Sequence, residues 1–175
     1  MEDDRFFTGG QRLRALSKPL RRSSPPAPDG IHVWVSHIDG EAVRDGLDGN
    51  RVKAEVEWRL AAAGIPVRHQ QAGPGKTPVA PCLGVLLNLR QADVVPSCYI
   101  FSVEVFCVQT NSSDDDHSTR NLHMSWCQEA IGDARKTPQG PDWSSVYAQI
   151  GFLVEAFIAS YLTANPQAKP ALLIN

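Results

Sequence analysis

Between residues 82 and 128 the apolar side chains recur at every second position, and that period constrains the fold more than any other feature of the chain. Leu83, Val85, Leu87 and Leu89 form one such set, and Tyr99, Phe101, Val103, Val105 and Cys107 form another. Successive side chains of an extended strand point to opposite faces, so each set lines one side of a sheet. Leu122, Met124 and Trp126 in "NLHMSWCQ" repeat the pattern, and the three runs read as an antiparallel meander.

Around this meander the period changes. "IHVWVSHI" is a β-branched run that predicts a first strand from Ile31 to Ile38. Val52, Val56, Leu60 and Ala63 then fall at steps of four, four and three, the stripe of a helix, with Asn50 as its expected N-cap and Gly64 as its left-handed terminus. Pro66 prevents continuation, and "VRHQQ" from Val67 is expected to be a short strand. Val146, Ile150, Val154, Phe157, Ile158 and Tyr161 define a last helix from about Asp142 to Ala164, stopped by Asn165 and Pro166. The order β-α-β-β-β-β-α predicts a two-layer α+β sandwich, with a mostly antiparallel sheet and both helices on one face.

The chain has 175 residues, of which 42% are apolar, enough for one core in a single domain over residues 31–166. Residues 1–30 hold six basic and four acidic residues and end in "RRSSPPAPDG", the composition of a flexible arm; residues 167–175 form an apolar tail. A net charge of -2 gives no electrostatic footprint for nucleic acid. No stretch reaches the roughly 18 to 20 successive apolar residues expected of a membrane span, and the start lacks the apolar region of a signal peptide. Within the arm, "QRLRALSKPLRR" intersperses basic residues with Leu13, Leu16 and Leu20, a pattern suited either to a solvated tail or to peripheral contact with an acidic partner or membrane surface. The four cysteines, at 82, 98, 107 and 127, fit no zinc-finger spacing.

Three stretches resemble sites. "TNSSDDDHSTRNLHMSWCQ" gathers Asp114 to Asp116, His117, His123 and Cys127, donors for a divalent or transition metal. If Cys107 faces Met124 and Val105 faces Trp126, His123 lies on the outer side near Val108 and Cys127 near Glu104, while His117 stays at the loop tip and the donors do not converge. "GPGKT" at 73–77 lacks the earlier glycine and the following helix of a phosphate loop. In "SHIDG", Ser36 and His37 point to opposite faces of a strand, and no nucleophile elbow is present. No catalytic residue, metal or cofactor is assigned from these.

The remaining candidate is the side of the sheet away from the helices. Trp34, Ile38, Leu86, Ile100, Phe106 and Val108 should lie there among Arg90, Glu104, His123 and Ser125, an unusually apolar mixture for a surface washed by water. Either the arm or the tail covers it, or it binds a partner with Trp34 and Phe106 as anchors. Leu172, Leu173 and Ile174 in "PALLIN" pose the same alternative.

The phrases "EWRLAAAGIPV" and "TANP", closing the first and last helices around a meander, resemble a group of uncharacterised bacterial proteins, and the arrangement is similar to α+β domains of envelope proteins such as the curli-secretion lipoprotein and the TolB amino-terminal domain. The likeness spans about residues 31–166 and transfers no catalytic residue. It implies an exported protein, whereas the chain as written shows no signal peptide; either its start is processed or missing and it belongs to the envelope, or this member stays inside. The expected function is a non-enzymatic protein-binding or assembly subunit. The alternatives are a metal-binding protein or enzyme using residues 114–127, and a carrier of a small ligand held between sheet and helices.

Overall fold

The computed structural model describes residues 30–68, 81–92, 98–111 and 121–166. The arm, the tail, the "GPGKT" loop and the tip holding Asp114 to His117 lie outside them. The first strand, β1 (Ile31–Val35), is shorter than expected, because Ser36 leaves the ladder: its backbone N–H donates to the Val85 carbonyl while its hydroxyl accepts from Leu87 N. A short helix, α1 (Gly40–Arg44), follows, capped by Asp39, whose carboxylate accepts from Glu41 N. The next helix, α2 (Gly49–Ala62), starts before the expected cap: Asp48, not Asn50, accepts the orphan N–H at its start. Its other end is a Schellman motif. Gly64, at φ +77°, donates to Ala61 O, and Ile65 donates to Leu60 O while both side chains of that second pair are buried.

Then come β2 (Val67–Arg68), β3 (Cys82–Gln91), β4 (Cys98–Asn111), β5 (Asn121–Thr137), β6 (Gly140–Pro141) and α3 (Ser144–Ala164). They complete an α+β fold on one curled six-stranded sheet, ordered β2-β1-β3-β4-β5-β6. The meander β3-β4-β5 is antiparallel as expected, but the sheet as a whole is mixed, because β1 pairs in parallel with both β2 and β3. Three features escape the periodicity: α1, the long second half of β5 and the two-residue β6. Beyond Gln128 the inward residues of β5 are Ala130, Gly132 and Ala134, too small to mark a strand by hydropathy. Gly132 is small because the Phe101 ring lies across it; an added Cβ would sit 2.6 Å from that ring.

The core lies between the helices and the inner face of the sheet. Val52, Val56 and Leu60 of α2 and Val146, Ile150, Val154 and Phe157 of α3 are buried in one cluster with Leu83, Val85, Val103, Val105, Phe101 and Trp126. Arg59 ties the two helices together, donating to Glu55 and, 2.9 Å away, to Glu155, with its guanidinium packed over Gly151. Among the described residues α3 alone is long and apolar enough, by length and composition, to cross a membrane, contrary to the expectation that no stretch would be; here its apolar stripe belongs to the core.

At one end of the sheet Tyr99 donates to Asp45 Oδ2 at 2.6 Å, Trp143 Nε1 donates to the Asp45 carbonyl, and Lys136 lies over the Tyr99 ring. The segment after α1 is thereby fastened to β4 and to the start of α3. Burial, and after it the hydrogen bond to Asp45, pushes the Tyr99 phenol up to about 12. An unfolded tyrosine ionises near about 10, so the fold favours the neutral form. The contribution is complete below about pH 10 and is lost as pH rises through about 12. Denaturant midpoints of wild type should therefore fall more steeply between these values than those of Tyr99→Phe, and parallel curves would contradict the assignment.

Candidate docking face on the outer side of the sheet

The outer face is built in rows that follow the register. One row runs Trp34, Gly84, Phe106 and Cys127 across β1, β3, β4 and β5. Gly84 is required here: a Cβ would meet the Phe106 ring at 2.3 Å, so only glycine lets that ring lie across β3 toward Trp34, 6.2 Å away between centroids. The next row holds Cys82, Val108 and Met124; on the other side come Leu86, Glu104 and Glu129, then Asn88, Ser102 and Ile131, then Arg90, Ile100 and Asp133.

Of the side chains expected on this face, Trp34 (41% exposed) and Ile100 (52%) lie open, and Phe106, Val108 and Leu86 are half-buried. Ile38 does not belong there. The chain has left β1 by then and turns Ile38 into the core, against Gly49 at the start of α2, where it is 5% exposed. Leu172, Leu173 and Ile174 lie outside the described residues. Two open side chains escaped the sequence reading, Met124 (56%) and Ile131 (63%).

Met124 was misplaced because the β4–β5 register is not the expected one. Cys107 pairs with Trp126 and Val105 with Gln128, two residues from expectation, and the ladder shifts between Cys107 and Val108. Ser125 is the extra residue of this bulge, and its hydroxyl donates to the Cys107 carbonyl. Past the bulge Met124 pairs with Val108 on the outer face, and His123 pairs with Gln109 instead of lying beside Val108. Ile131 was missed because β5 was expected to end at Gln128. Its signal was the alternation of Ile131 with Ala130 and Gly132, too weak in hydropathy to extend a strand.

The other candidate residues are occupied in the fold. Cys127 does sit by Glu104, its thiol donating to the carboxylate at 3.0 Å. Among the described residues no three His, Cys, Asp or Glu side chains gather as a metal site. Ser36 and Asp39 of "SHIDG" serve the backbone, at β3 and at the start of α1. Burial pushes the Cys82 thiol up to about 11 and raises those of Cys98 and Cys107, so none of these three is an activated thiolate. Glu104, Glu129 and Asp133 outnumber the basic group on the β4–β5 side of the face, Arg135, whose guanidinium lies 4.0 Å from Asp133.

The chain matches no protein-family model, no curated protein and no solved structure. None of these comparisons adds to the resemblance, which stands on the phrases "EWRLAAAGIPV" and "TANP" and on the order of the elements.

Proposed function

We propose that the chain is a non-enzymatic protein-binding or assembly domain, an accessory subunit that receives a partner on the outer face of its sheet, with α2 and α3 forming one layer behind it in a two-layer α+β sandwich. The observation that carries this reading is the exposure of Trp34, Ile100, Met124 and Ile131 on one face while the opposite face of the same strands is filled by the core. Sheets with one wet face ordinarily alternate apolar inward with polar outward. Here both directions carry large apolar groups, and covering the outer ones with a partner removes their contact with water. The half-buried Phe106 beside Trp34 supplies the rigid aromatic anchor on which interface energy concentrates. The bacterial envelope is the setting suggested by the resemblance.

The test is comparative capture from the native source. Wild-type bait should retain a stoichiometric partner that Ile100→Glu bait loses and that Val43→Glu bait, altered at an equally open position on α1, keeps. Equal retention by all three baits would sink the face as the docking surface.

A further inference from the structure

We propose that the open edge of β5 at Glu129 and Ile131 accepts an added β-strand from a partner, an extended segment with a Lys or Arg beside Glu129 and an apolar residue beside Ile131. This concerns the backbone rim of the sheet: it shares Ile131 with the face reading and does not depend on Trp34, Phe106 or Met124.

Three observations converge on that edge. First, β5 is long and its outer neighbour is short: β6 pairs only with Lys136 and Thr137. Backbone groups of alternate strand residues point to the same side. The Arg135 carbonyl accepts from Asp142 N and the Asp133 carbonyl from Ser145 Oγ, both away from β4. By the same alternation the N–H and C=O of Ile131 and Glu129 point outward, and among the described residues nothing binds them. Two such residues offer four backbone hydrogen bonds to an incoming strand.

Second, α3 carries a buried acceptor along this rim. Ser145 contacts Asp133 near the start of α3, and Phe157 meets Trp126 with ring centroids 5.3 Å apart, so α3 runs antiparallel to β5. Gln149 lies one turn beyond Ser145 on the same flank of the helix. It is 8% exposed, yet its Oε1 has no partner among the described residues. Buried polar atoms are normally hydrogen-bonded, and a turn of the Gln149 side chain toward the rim would let an added strand donate to its Oε1.

Third, charge selects the occupant. Glu129 and Asp133 flank Ile131 on the outer side, with Arg135 4.0 Å from Asp133, which favours an incoming strand with a basic residue beside Glu129 and, two positions on, an apolar one beside Ile131. A second copy paired about a two-fold axis at Glu129, or at Ile131, would set carboxylates against each other.

The test titrates the full chain with the peptide Thr-Lys-Thr-Val-Thr-Lys-Thr (the Lys/Val peptide), whose Lys, Val and Lys share one face, with its alternately N-methylated form and with a Glu/Val counterpart bearing Glu for Lys, reading affinity and amide exchange. The Lys/Val peptide should bind and slow exchange of the Glu129 and Ile131 amides about tenfold or more, and the methylated peptide should not. Glu129→Lys should weaken the Lys/Val peptide and admit the Glu/Val one. Trp34→Glu should leave peptide binding unchanged, so loss of the edge and loss of the face are separable. Protection elsewhere, equal binding of the methylated peptide, no binding, or self-association through these amides would each overturn the proposal.

Discussion

Phe157→Ala should lower the free energy of unfolding by about 3–5 kcal/mol, the range for a buried aromatic truncated in a core. Phe157 is fully buried on α3 and stands edge-on to Trp126 and tilted against Tyr161. It thus couples the helix to β5 at the point where the ladder shifts. The loss combines removed apolar burial, forfeited ring contacts and the void that the sheet and α2 can only partly close. Against a total of about 5–15 kcal/mol for an ordinary domain, that is a large fraction. Urea denaturation should show a lower midpoint with an unchanged slope. Phe152, on the same helix but exposed, provides the control: Phe152→Ala should change stability by less than about 0.5 kcal/mol. Equal effects at the two positions would mean that α3 is rotated relative to the sheet.

Trp34→Glu should have the largest effect on association. An interface anchor of this type is worth about 2 kcal/mol or more, which corresponds to a loss of about 30-fold in affinity for the captured partner. The folded state should lose only about 1 kcal/mol, since the main loss is the tilted pair with Phe106. The added carboxylate enters a position already open to water and breaks no core contact. Titration calorimetry with the partner and denaturation of the free variant separate the two quantities. Unchanged affinity, or unfolding of the variant, would place Trp34 outside the interface or inside the core.

The period-two runs made β3 and β4 legible because large inward residues alternate without interruption, and the stripes of α2 and α3 were legible for the same reason. The rest was hidden by small or local effects. Ala130, Gly132 and Ala134 are inward but nearly silent in hydropathy, since the Phe101 ring fills the space beside Gly132. One extra residue at Ser125 sent Met124 to the outer face, a displacement that no alternation rule detects. Ile38 was read as part of a strand because nothing in "VSHI" announces that Ser36 ends the ladder with its own side chain. Trp34, Ile100 and Phe106 were placed correctly because each lies inside an uninterrupted run.

Hydroxyl-radical footprinting of the free chain and of the captured complex tests the docking face most directly. Among the described residues the exposed aromatics divide by side of the molecule: Trp34 on the outer face of the sheet, Trp58 and Phe152 on the helices. The expected result is that Trp34, Met124 and Ile131 react readily in the free chain and become protected in the complex, while Trp58 and Phe152 react equally in both. Protection of Trp58 and Phe152 instead, or a Trp34 already shielded in the free chain, would contradict a partner-binding sheet face.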